Sequence, residues 1–282
     1  MQLYKTSSGN ILLHNDKAYR LEGEWDELIN QANLYDSLLN LIGQSAALSV
    51  QEYKPILEKN VLAPIGRQEA WASGVTYLRS RDARMDESKD KGGADCYQRV
   101  YEAERPELFF KALPHRVSGH LKEVYIRKDS TWNVPEPELT LFINSQGSIQ
   151  AYTVGNDMSS RSIEGENPLY LPQAKMYEKC AALGPCLYIP KEPIHPETNI
   201  TLSIERNEQE VFHGVVAISR MKRKLPELAQ WLYRECSFAS GCFLMTGTGL
   251  VPPDHFTLER GDIVRITIDG IGTLVNAIST QP

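Results

Sequence analysis

The chain has 282 residues, enough for one large domain or for one domain with a small appendage. Its formal net charge of -6 argues against a general nucleic-acid binder, and no apolar run reaches the length of a membrane span. The opening Met1-Gln2-Leu3-Tyr4-Lys5 lacks the apolar core of a signal peptide, so the cytoplasm is the expected location.

Residues 1–68 read as a small N-terminal α/β domain. Short strands are expected at 3–5, 11–13 and 18–21, separated by Ser7-Ser8-Gly9-Asn10 and Asn15-Asp16 turns. Helices are expected over 25–32 and 35–48, the second carrying Leu38, Leu39, Leu41 and Ile42 at helical spacing. This unit carries no chemistry of its own; it covers the main domain, 69–282, or contributes to an oligomer interface. Next comes a densely charged stretch, 79–95, with Gly92-Gly93 near its end; such runs are usually solvated helix and loop.

The most informative segment follows. Glu136 and Glu138, in Val134-Pro135-Glu136-Pro137-Glu138-Leu139, precede the apolar run Leu139-Thr140-Leu141-Phe142-Ile143. They therefore open a strand, where side chains two apart share a face and their Cα atoms stand roughly 7 Å apart. Asn144-Ser145-Gln146-Gly147 makes a turn, and a returning strand, 149–154, runs into Gly155-Asn156-Asp157. The hairpin brings Asp157 back beside the glutamates. Acidic strand ends are most often solvated. Here Pro135 and Pro137 confine the segment to an edge or a strand start, and two carboxylates on one face need a counter-charge. Three hard oxygen ligands suit Mg²⁺ or Mn²⁺.

The remainder reads as β structure with helical insertions. Hairpins are expected at 199–205 with 210–217 and at 262–268 with 273–278, and a helix over 225–235. Cys96, Cys180, Cys186, Cys236 and Cys242 show no Cys-x-x-Cys spacing and read as reduced thiols rather than a zinc site. His213, in an apolar stretch, reads as a strand residue rather than a ligand. No Walker-type phosphate loop or dinucleotide fingerprint is present.

Taken together, Glu136-Pro137-Glu138-Leu139, Gly155-Asn156-Asp157-Met158-Ser159-Ser160-Arg161 and Lys175 ahead of Leu183-Gly184-Pro185 resemble the fumarylacetoacetate hydrolase superfamily. Pro106-Glu107-Leu108-Phe109-Phe110-Lys111 upstream and Met245-Thr246-Gly247-Thr248 downstream add to the resemblance, which covers roughly residues 70–278. It implies a mixed β-sandwich roll with flanking helices, so the expected class is α+β, mainly β. It also implies that the three acids hold Mg²⁺ or Mn²⁺ and that the ion chelates a 2-oxo acid or 1,3-dicarbonyl substrate.

The departures from the family carry as much as the matches. Its hydrolases show a Gly-x-Asn-Tyr-x-x-His-Ala-x-Glu pattern whose histidine and glutamate activate water. This chain reads Gly74-Val75-Thr76-Tyr77-Leu78-Arg79-Ser80-Arg81-Asp82-Ala83, placing Ser80 and Ala83 at those positions. A serine cannot replace imidazole as a base near neutral pH. After the metal aspartate, Glu164 stands where the family often has glutamine. Losing a water-activating base and gaining a carboxylate fits proton transfer, and the pattern resembles the 2-keto-3-deoxy-arabinonate dehydratase branch. The expected reaction is loss of water from a 2-keto-3-deoxy sugar acid to give a dioxo acid. Its alternative is metal-dependent C–C hydrolysis of acylpyruvates or diketo acids with His115, His120 or Glu107 as base. A third reading is a silent ligand-binding protein, against which the intact acid triad and Lys175 argue.

Lys175 and Glu164 are the expected catalytic pair. Lys175 as base near the metal and Glu164 as acid for the leaving hydroxyl is the arrangement to test, although the residue pattern leaves their assignment open. Arg79, Ser80, Arg81 and Thr248 are expected substrate contacts, because the resemblance places Gly74–Leu78 at the site rim and the 246–249 loop along the pocket. On that placement the 79–95 stretch reads equally as a lid or as solvated helix. The expected partners are a 2-oxo acid and further copies of the chain, as homodimer or homotetramer, with no nucleic acid and no membrane.

Overall fold

The computed structural model describes residues 1–87 and 94–282. The chain opens with the meander β1 (Gln2–Thr6), β2 (Gly9–His14) and β3 (Lys17–Leu21), then the short α1 (Trp25–Ile29) and α2 (Leu34–Ile42). Asn33 caps α2, its side chain accepting the Asp36 N–H. The helix stops at Gly43, well short of the expected 48, because Ala47 and Leu48 pair with β3 as β4 (Ala47–Leu48). An unexpected helix, α3 (Val50–Lys59), follows on a Ser49/Glu52 capping box that the sequence displays; Pro55 inside it obscures the periodicity.

The first part of the charged stretch folds as α4 (Leu78–Glu87), which follows β5 (Glu69–Gly74), and α5 (Ala94–Glu102) comes after it. Gly92-Gly93, in the stretch read equally as lid or solvated helix, lies outside the described residues. Then come β6 (Glu107–Ala112), β7 (Val117–Ser118) and β8 (Lys122–Ile126), and the long hairpin β9 (Asn133–Ile143) and β10 (Ile149–Ser160). Next are α6 (Arg161–Glu166), α7 (Leu171–Lys175), β11 (Ala181–Tyr188) and the hairpin β12 (Asn199–Arg206) with β13 (Gln209–Ala217). The chain closes with α8 (Leu225–Leu232), β14 (Cys242–Met245), β15 (Ile263–Ile268) and β16 (Gly272–Thr280).

Two mixed sheets result. The larger runs β4-β3-β2-β1-β11-β10-β9-β14-β5-β6, with β7 on β11; the smaller runs β13-β12-β15-β16-β8. Strands from residues 1–68 thus extend the large sheet through the β1–β11 pairing. One core lies between the sheets, where Leu139, Leu141 and Val154 meet Ile200, Leu202, Val264 and Ile266. The other lies on the opposite face of the large sheet, where Trp25, Leu28, Leu34 and Leu38 pack over Phe142, Ala151 and Phe243. Each fully buried leucine contributes about 1.5–3 kcal/mol.

The period of two along β9 sorts its residues between these faces. Leu139, Leu141 and Ile143 join the inter-sheet core, so Glu136, Glu138, Thr140 and Phe142 face the other way. The large sheet also curls. β6 is four strands from β10 in the sheet order, roughly 19 Å away were the sheet flat. Yet Lys111 on β6 places its Nζ 2.5 Å from a carboxylate oxygen of Asp157 on β10. That curl closes the acid-bearing end of the hairpin into a cavity.

Candidate metal and substrate site

The β9–β10 register sets Asp157 directly opposite Glu136 and Gly155 opposite Glu138. One oxygen from each of the three carboxylates lies within 4.8 Å of the others. All three residues are buried. Two prolines are tolerated in this interior strand because β14 pairs with β9 only as far as Thr140. Beyond that point β9 has β10 as its ladder partner, so Pro135 and Pro137 remove donors where no second strand needs them.

Buried carboxylates so close together require counter-charge, and three cations from distant segments supply it. Lys175, the last residue of α7, places Nζ 2.7 Å from Glu136 and 3.0 Å from Asp157, and it also donates to the Ser159 hydroxyl. Lys111 bonds Asp157 and donates to the carbonyls of Met158 and Lys175. Arg161, at the start of α6, bonds Glu136 at 2.8 Å. Asp157 is held below its usual pKa: burial opposes this, but the Lys111 and Lys175 charges and hydrogen bonds outweigh it. Glu138 goes the other way. Burial, then the negative charges of Asp157 and Glu136, push its pKa well up, and the Lys175 charge and the Gly247 N–H at 2.6 Å offset only part of that.

Among the described residues no cation makes a salt bridge to Glu138, although three cations match the three acids in number. The three carboxylate oxygens are the hard donor set that Mg²⁺ or Mn²⁺ takes. The residues present therefore fit the metal. The cavity beside them measures about 10 Å³, room for one water, and is lined by Gly74, Ser80, Phe109, Lys175 and Thr248 as well as the acids.

The structure thus brings together Glu136, Glu138, Asp157, Lys175, Ser80 and Thr248. Thr248 sits in a loop closed by its own hydroxyl, which bonds both N–H and C=O of Leu250. The Ser80 hydroxyl donates to the Tyr77 carbonyl and accepts from the Tyr77 N–H, pinning the first turn of α4. Glu164 is buried in α6, three residues after Arg161 and so on the same helical side, but it does not line the cavity. Arg81 pairs with Asp82 at 2.6 Å and stands over the Tyr101 ring, and Arg79 is exposed along a second cleft beyond α4. Neither arginine lines the acid cavity. His120 is likewise elsewhere, its Nδ1 accepting the Val275 N–H.

Sequence reasoning did not single out Lys111, Arg161 or the Gly247 N–H as parts of the cluster. Lys111 carried a signal, as the one charge in Leu108-Phe109-Phe110-Lys111-Ala112. Arg161 carried another, four residues after Asp157 and directly beyond the strand that bears it.

Comparison with known proteins gives the family. The family model described as fumarylacetoacetate (FAA) hydrolase C-terminal matches residues 82–279, and the chain belongs to that family. A probable 2-keto-3-deoxyxylonate dehydratase of Haloferax volcanii is 44% identical over 225 residues, 79% of this chain and 76% of the relative. The 2-dehydro-3-deoxy-D-arabinonate dehydratase of Saccharolobus solfataricus is 40% identical over 254 residues, 89% and 84% respectively. A solved structure of 2-keto-3-deoxy-D-arabinonate dehydratase complexed with magnesium and 2,5-dioxopentanoate superposes with a TM-score of 0.85 at 34% identity, covering 100% of this chain and 99% of that one. The mixed-sheet α+β fold expected from the sequence is the fold found. No helix among the described residues is long and apolar enough to cross a membrane.

Proposed function

We propose that the chain is a Mg²⁺-dependent hydro-lyase that removes water from a 2-keto-3-deoxy pentonate of the arabinonate or xylonate type. The observation that carries this is at α4. Ser80 spends its hydroxyl on the Tyr77 backbone, and Ala83 is a buried methyl, so these two positions offer no base beside the triad. A lysine ammonium, by contrast, touches two of the three acids.

The residues divide the work as follows. Glu136, Glu138 and Asp157 would hold the ion, which when bound would polarise the 2-oxo acid group and make the C3 protons more acidic. Lys175, once in its neutral amine form, takes a C3 proton, and Glu164 in its protonated form donates to the departing C4 hydroxyl. Elimination leaves a C3=C4 double bond; moving a C5 proton to C3 shifts it to a C4=C5 enol, and passage of the enol hydroxyl proton to C4 gives the C5 aldehyde of a 2,5-dioxo acid, the class of compound held by the structural relative. Thr248 and the backbone around Ser80 bound the substrate. Glu164 reaches the reacting carbons only if the cavity widens toward α6, since it does not line it here.

The test is an assay of 2-keto-3-deoxy-D-arabinonate with the product identified by mass spectrometry. Chelation should abolish turnover, Mg²⁺ should restore it, and pyruvate should compete. Activity indifferent to chelator, or cleavage of an acylpyruvate instead, overturns the reading. The pH response has a definite sign. Only ionised Glu138 can bind the metal, and its pKa is raised above 4.5, so the Mg²⁺ concentration for half activity should fall as pH rises above 4.5. Action in the cytoplasm as a homodimer or homotetramer belongs to the same proposal. Val211 and Val215, exposed on the edge strand β13, support self-association, which sedimentation would check.

A further inference from the structure

Tyr77 is 1% exposed, and its hydroxyl has no hydrogen-bond partner among the described residues. Buried tyrosine hydroxyls usually find one, so this atom calls for an explanation. Its position supplies one. In sequence Tyr77 lies between Val75 and Ser80, both of which line the acid cavity, while Tyr77 itself lines the second cleft with Arg79, Tyr101 and Arg220. The ring packs on Gly249, where a Cβ would stand 2.6 Å from Cδ1, and Gly249 follows Thr248 of the acid cavity. The phenol is therefore part of the wall between a cavity of about 10 Å³ and a cleft of about 540 Å³.

The turn that carries Tyr77 is fixed at some cost. Val75, a β-branched residue, has φ +55°, a left-handed conformation that needs outside support. The support is present: Thr76 Oγ1 donates to the Thr246 carbonyl at 2.7 Å, and the Lys222 N–H donates to the Thr76 carbonyl at 2.9 Å. A strained turn held from both sides presents a hydroxyl with no hydrogen-bond partner among the described residues. Room for one water at the acids cannot hold a five-carbon acid, so the substrate's far end must extend past a wall of the cavity.

We infer that Tyr77 is a substrate-binding residue whose hydroxyl hydrogen-bonds the hydroxyl-bearing end of the sugar acid where the two cavities meet. This rests on the dehydratase reading and adds a specificity element to it. The test compares Tyr77→Phe with wild type, using 2-keto-3-deoxy-D-arabinonate as substrate and pyruvate, which lacks the distal hydroxyls, as competitive inhibitor. KM for the sugar acid should rise about 10-fold, the worth of one hydrogen bond, with the pyruvate inhibition constant within about twofold. Tm should hold or rise, because the phenylalanine sheds a hydroxyl that has no partner among the described residues. An unchanged KM overturns the inference. So does a parallel loss of pyruvate binding, a lower Tm or a failure to fold, each of which assigns the hydroxyl to the protein's own structure. Absence of sugar-acid turnover by the wild type would instead defeat the dehydratase reading itself.

Discussion

Two regions of this molecule are rich in charge, and they differ in what holds the charge in place. At the acid end of β9–β10 every charged group is buried, and its partners come from other elements: Lys111 from β6, Arg161 from α6, Lys175 from α7. On the first turns of α4, Arg81 pairs with its neighbour Asp82 and Arg79 faces water. In the first region removing one partner strands a charge in a medium that cannot solvate it; in the second, water takes over. Precision at the reacting end and tolerance at the rim follow from burial alone.

The proposed proton-transfer pair, Lys175 and Glu164, offers the hardest test of that contrast. Lys175→Met and Glu164→Gln should each lower kcat by roughly 10²–10⁴-fold, the span of general acid–base catalysis, while Mg²⁺ binding by calorimetry survives. A Glu164→Gln enzyme that dehydrates at near wild-type rate would remove that carboxylate from the chemistry. The case for dehydration over hydrolysis would then rest on Ser80 and Ala83.

Next in size is a stability effect. Lys111→Met leaves Asp157 with Lys175 as its remaining salt-bridge partner among the described residues. It should cost about 3–5 kcal/mol in urea unfolding, the range for breaking a buried pair. Added Mg²⁺ should recover part of that loss, since an ion that binds only the folded state stabilises it. A loss under about 1 kcal/mol would show that the buried cluster relaxes as freely as the surface does.

The smallest effects belong to α4. Arg81→Gln removes a partly exposed pair and should change stability by less than about 1 kcal/mol. Arg79→Gln should leave kcat/KM within a few-fold of wild type. A loss at Arg79 as large as that at Lys175 would break the comparison: the α4 turn would then have to close onto the substrate during turnover.

The sequence by itself determined the parts of this site that obey short-range rules. The strand period put Glu136 and Glu138 on one face, the Asn144–Gly147 turn returned Asp157 to Glu136, and the local pattern at Gly74–Ala83 showed what the hydrolytic dyad lacked. The two C-terminal hairpins and α8 were equally legible, being regular elements bounded by turns and by Pro226. Only the tertiary structure decided which cations reach the acids. Lys111 joins them because a twisted sheet curls across four strands, and the exclusion of Arg79 and Arg81 depends on how α4 lies over the cavity. It also decided that α2 stops at Gly43, where pairing of β4 with β3 outweighs helical periodicity. Side-chain period and turn chemistry act over a few residues. Which distant strands meet is set by packing two cores at once, and no local pattern records that sum.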